Sequence, residues 1–158
     1  MKRYQLEVSA INSAIVSFNT HMAAEFRVPE FDIDTAISQK NIVEILHGRW
    51  DDFPFPNNGT SGVYFIFGHE RVLAEKNGLY IGKASFSSKT SDRLHAWLHP
   101  YRSKEHFIRN SGQETYILDY LASIDLDRLG IPFMAPALEE YLITSLRSRI
   151  NLMNGTGN

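Results

Sequence analysis

Two short segments, Gly62–Phe67 and Leu79–Gly82, mix β-branched and aromatic residues as half-buried strands do. Alternation puts Tyr64 and Ile66 on one face of the first, and Val63, Phe65 and Phe67 on the other. Asn77-Gly78 offers a turn into the second segment, since both residue types accept turn backbone. The pair predicts an antiparallel hairpin that brings Tyr64 near Tyr80, with its register left open. Thr115–Leu118 is the best third strand. Elsewhere the pattern is helical. Ile11, Ala14, Ile15, Phe18, Met22 and Phe26 recur at spacings of three and four, one face of an amphipathic helix that Pro29 would stop. Further helices are expected over Ser38–His47, ended by Gly48, and over Asp92–Leu98, started by Ser91 or Asp92 and closed by Pro100. A final helix runs from Pro136 to Ile150, with Leu138, Tyr141, Leu142, Ser145 and Leu146 as its buried stripe. The expected fold is α+β, a small three-stranded antiparallel sheet flanked by helices. Residues 1–60 form a helical N-terminal extension and 61–158 the main domain, joined through the proline- and asparagine-rich stretch Asp51–Ser61. The tail Asn154–Asn158 reads as mobile.

A chain of 158 residues, 43% hydrophobic and 22% charged, has material for one ordinary core. With no apolar run near the ~18 residues a bilayer span needs, no membrane association is expected. The first residues lack the apolar core of a secretory signal, so a cytoplasmic protein is expected. The absence of cysteine excludes disulfides and thiolate metal sites. Net charge is only −2, but its distribution is uneven. Residues 1–60 hold five Lys/Arg against eight Asp/Glu, whereas residues 61–158 hold eleven against ten. Lys83, Lys89, Arg93, Arg102, Lys104 and Arg109 fall in one stretch with only Asp92 and Glu105, and His95, His99 and His106 lie among them. Such a stretch is usually a solvated helix face; it is also what phosphate binding requires.

Gly62-Val63-Tyr64 and Tyr80-Ile81-Gly82-Lys83-Ala84, followed by Arg93, Leu138-Glu139-Glu140-Tyr141-Leu142-Ile143 and Asn151, stand in a distinctive order. This series resembles the GIY-YIG nuclease family, over about the last three-fifths of the chain. Two features depart from that pattern: the hairpin insert His69–Asn77 and the Gly82–Arg93 segment are longer than in compact members. Ser148 also stands near the place of the proline that often precedes the asparagine. The resemblance implies the same small sheet flanked by helices, and a divalent-metal-dependent endonuclease acting on DNA.

The residue types suit that chemistry. Phosphodiester hydrolysis needs an aligned water, a group to take its proton and positive charge where the phosphorane forms. Glu139 fits a metal anchor, since Mg2+ (or Mn2+) needs only one or two carboxylates. Most helix glutamates are surface residues, and the Leu-Glu-x-x-Leu-Ile frame is what selects Glu139 over Glu140. Arg93 is suited to phosphate by its permanent charge and forked donors, or else to a salt bridge with Asp92 or Glu105. The resemblance implies Tyr64 as general base, with Tyr80 positioning water or phosphate; each equally suits plain packing in a sheet. Lys83 is a candidate phosphate ligand or modifier of a tyrosine, His95 a candidate substrate contact, and Asn151 a substrate-side residue or a clamp at the helix end. One such site cuts one strand, so double-strand cutting would need a homodimer or a second event. The competing expectation is an inactive nucleic-acid- or partner-binding domain on the same fold, and RNA remains open beside DNA as substrate.

Overall fold

The hairpin forms and extends beyond its two signal segments. The computed structural model describes residues 1–45, 55–85, 88–99, 107–108 and 116–154. In chain order its elements are α1 (Gln5–Asn19), α2 (Ile33–Ser38), β1 (Ile42–Glu44), β2 (Gly62–Glu70), β3 (Asn77–Ala84), α3 (Thr90–Trp97), β4 (Leu98–His99), β5 (Phe107–Ile108), β6 (Tyr116–Asp125) and α4 (Ala135–Leu146). Strand β3 pairs antiparallel with β2, from Gly62↔Ala84 to His69↔Asn77. The other edge of β2 pairs antiparallel with β6, across a register shift between Phe67 and Gly68. The sheet runs β3-β2-β6-β5-β4, with β1 also paired to β6. The class is α+β, but the sheet has six strands where three were expected. The additional strands are two or three residues long, too short to leave a periodic signal.

Alternation along β2 feeds two cores. Val63, Phe65 and Phe67 join Leu79 and Ile81 against α1 and α4, where Ile11, Ile15, Phe18, Leu138, Leu142 and Leu146 are buried. Tyr64 and Ile66 face the other way, with Leu94, Leu118, Leu121 and Met153. Residues 1–45 therefore share the main core: α1 packs on α4, and β1 extends the sheet. On α4, Leu138, Leu142 and Leu146 carry the burial, while Tyr141 and Ser145 are half-buried.

Two helix expectations are corrected. The first helix ends at Asn19, ten residues before Pro29, and Phe26 sits 40% exposed in a separate turn, Ala24–Phe26. The reason lies in two asparagines. Asn12 and Asn19 each use the side-chain amide as a substitute strand edge, donating to the carbonyls of Phe31 and Val28 and accepting from the same residues' N–H groups. The chain after α1 is thereby folded back along the helix. The second expected helix, Ser38–His47, is instead the end of α2 followed by β1, and residues 46–50 lie outside the described residues. Lys40 adopts a left-handed φ of 58°, and Asn41 N–H bonds to the Ala36 carbonyl at 2.7 Å, closing α2 with a Schellman-type turn. A lysine in the place usually taken by glycine hides that stop, and β-branched Ile42 and Val43 continue as strand.

Since Ile15 is fully buried between α1 and the sheet, Ile15→Ala should lower unfolding free energy by roughly 2–5 kcal/mol. Denaturant melts would check this, and a loss under about 1 kcal/mol would mean that α1 docks only loosely.

Candidate active site

Tyr64 and Gly82 are direct cross-strand partners in the hairpin, and Tyr80 pairs with Ile66 one repeat further along. Both tyrosines therefore project from the same face, and their rings stack at 6.2 Å between centroids with planes at 27°. A missing side chain permits this. A β-carbon on Gly82 would lie 2.3–2.7 Å from the Tyr64 ring and hydroxyl, so only glycine lets the ring lie across β3. On the opposite flank Tyr64 pairs with Ser123, whose hydroxyl accepts a hydrogen bond from Asn57 at 2.8 Å. Tyr64 is thus seated between two small neighbours and is 2% exposed. Gly62 has a different reason. A β-carbon there would stand 1.9 Å from the Ile124 carbonyl oxygen, so this glycine lets the β6 backbone approach.

These contacts separate the two motif glycines experimentally. Gly62→Ala must push backbone from backbone and should destabilise by at least about 1–3 kcal/mol, the usual range for overpacking. Gly82→Ala displaces a ring, so its stability loss should be smaller, with the ultraviolet signature of the tyrosines altered. Equal melting temperatures for Gly62→Ala and wild type would contradict the close approach.

Burial raises the Tyr80 pKa to about 12, reinforced by the negative charge of Glu139 and opposed by a hydrogen bond with Tyr64 and the positive charge of Arg93. Tyr80 therefore keeps its proton at neutral pH and is available as a donor.

Glu139 lies beside the buried Leu138–Leu142–Leu146 stripe of α4, and its Oε2 meets Lys83 Nζ at 2.5 Å. The carboxylate side chain is 16% exposed and the lysine 38%. Lys83 shares the α4 side of β3 with Leu79 and Ile81, whereas Tyr80 belongs to the opposite face. The site therefore straddles β3, at the end of the sheet order, with the charge of Glu139 felt by Tyr80. Arg93 is exposed on α3. That helix is anchored by buried Leu94 and by Thr90, whose N–H and hydroxyl both donate to the Thr60 carbonyl at 2.9 Å.

The folded chain thus gathers Tyr64, Tyr80, Lys83 and Glu139 around one strand, with Arg93 close enough to act on Tyr80. Asn151 is placed elsewhere. Its amide donates to the Asn77 carbonyl at 2.7 Å and the Tyr116 hydroxyl at 3.1 Å, at the far end of β3. Lys83 lies six residue steps along the strand from Asn77, about 20 Å. Asn151 is a clamp on the hairpin there, and its substrate-binding assignment is not supported by this position. The backbone of His95 lies in α3 and its side chain lies outside the described residues, as do Arg102, Lys104, His106 and Arg109.

Among the described residues no three or more His, Asp or Glu side chains converge as a metal-binding group. Glu139 offers one carboxylate, with Oε2 engaged by Lys83. This donor set does not suit zinc, which prefers three or four protein ligands, but it suits magnesium, which keeps most of its waters.

Sequence reasoning missed the residues that hold these groups in place. Thr90, Asn57 and Ser123 carry no motif and act through burial and pairing. Asn154, read as part of a mobile tail, donates to the Ile81 carbonyl at 2.7 Å and accepts from Ile81 N–H at 2.9 Å. With Leu79 N–H bonded to the Asn151 carbonyl and Met153 N–H to the Leu79 carbonyl, residues 151–154 cover the outer edge of β3 up to Ile81. Among the described residues this cover reaches Ile81. Residues 155–158 lie outside the described residues.

No family model, curated protein or solved structure matches the chain. Among the described residues no helix is long and apolar enough to cross a membrane.

Proposed function

We propose that the chain is a divalent-metal-dependent endonuclease of GIY-YIG type that hydrolyses phosphodiester bonds in DNA at one site. The observation carrying this reading is the Lys83–Glu139 contact beside the stacked Tyr64–Tyr80 pair, four side chains drawn from three separate motif segments. Their chemistry is complementary. Tyr64, as its phenolate, takes the proton of the attacking water and becomes the neutral phenol, while Tyr80, whose proton is retained up to about pH 12, donates a hydrogen bond to water or phosphate. Lys83 and Arg93 place positive charge where the phosphorane gains negative charge. Glu139 holds Mg2+ or Mn2+, which when bound polarises the phosphate and stabilises the leaving oxygen. A nucleic-acid substrate is favoured by Lys83, Lys89 and Arg93, against Asp92 alone among the charges of residues 83–93.

One site addresses one phosphate. Incubation with supercoiled plasmid and magnesium should therefore give open circles before linear molecules. Binding without any conversion, in either magnesium or manganese, would favour a binding domain on the same fold instead.

A further inference from the structure

Glu139 is a largely buried carboxylate, and the cation it holds is an ammonium from its own chain. Lys83 Nζ is 2.5 Å from Oε2, while the side chain of Lys83 remains 38% exposed on a four-carbon stem. An anion that is 16% exposed would be costly to leave unpaired, and Lys83 removes that cost. The same ammonium opposes a second cation at the carboxylate, because two like charges a few ångströms apart repel strongly at low effective dielectric. Arg93 stays outside this pair and is exposed on α3.

We propose that Lys83 is the resident, exchangeable counter-ion of Glu139. This rests on the nuclease reading above and extends it to how the metal enters. A divalent ion binds Glu139 by displacing the ammonium, and the freed lysine swings outward into the space a substrate phosphate would occupy. Metal and phosphate are thereby coupled. The metal releases the lysine, and a phosphate that accepts it favours the metal-bound form, by the reciprocity that links two binding sites.

The test is metal affinity in the absence of DNA, read by Mn2+ electron paramagnetic resonance or calorimetry on the full chain. Lys83→Met removes the competing charge and should tighten Mn2+ binding by about tenfold or more. Lys83→Gln, which retains a hydrogen-bond donor, provides the same comparison should the methionine variant fail to fold. Glu139→Gln should abolish the site in either background. Affinity that is unchanged or weaker in both lysine variants, with binding still dependent on Glu139, overturns the exchange and leaves the nuclease reading standing. Absence of Glu139-dependent binding in every protein overturns the metal site and the exchange together.

Discussion

Glu139→Gln should yield a folded protein that still binds DNA and cuts it at least about 10³-fold more slowly, the effect of losing several kcal/mol of charge stabilisation. The substitution is nearly isosteric, and Gln retains an oxygen for Lys83. Its stability loss should be at most about 1 kcal/mol, since the ion pair is partly solvated on the lysine side. Glu140→Gln is the matched control. Glu140 is exposed on the same helix and should be silent. Single-turnover rates with both variants decide the matter: full activity in Glu139→Gln, or its loss only in Glu140→Gln, would move the metal anchor off the residue that Lys83 touches.

The second large effect is expected at Tyr64. Tyr64→Phe removes one hydroxyl and keeps the ring that fills the space over Gly82, so folding should change by only about 1 kcal/mol. Losing a general base should slow cleavage by about 10²–10⁴-fold. Tyr80→Phe shares the stack but not the role. Tyr80 stays protonated at working pH, so its removal costs a donor, about tenfold in rate. A Tyr64→Phe protein cutting at near wild-type speed, or a larger loss in Tyr80→Phe, would end the base assignment.

These groups were legible because the hairpin carries its information locally. Alternation placed Tyr64 opposite Val63, Phe65 and Phe67, and cross-strand pairing then fixed Tyr64 over Gly82. Why residue 82 is glycine could not be read from the strand alone, since the reason is the ring of a residue on the neighbouring strand. The helix carrying Glu139 was equally plain, because Leu138, Leu142 and Leu146 form a single stripe. What escaped was structure made by side chains imitating backbone. Asn12, Asn19 and Asn154 each pair with a peptide as a strand edge would, and no periodicity announces them. Asn151, beyond the end of α4, clamps the Asn77 end of β3, which is the helix-end reading of the two that motif order offers. Lys40 ended a helix where a glycine would have been visible.

A labelled DNA duplex, cleaved under single-turnover conditions by wild type in magnesium, by wild type in chelator and by Glu139→Gln in magnesium, measures the central claim directly. Strand scission in the first reaction alone is the predicted result. Scission that persists in chelator, or that Glu139→Gln performs at the wild-type rate, would contradict a cation-assisted site built on the Lys83–Glu139 pair.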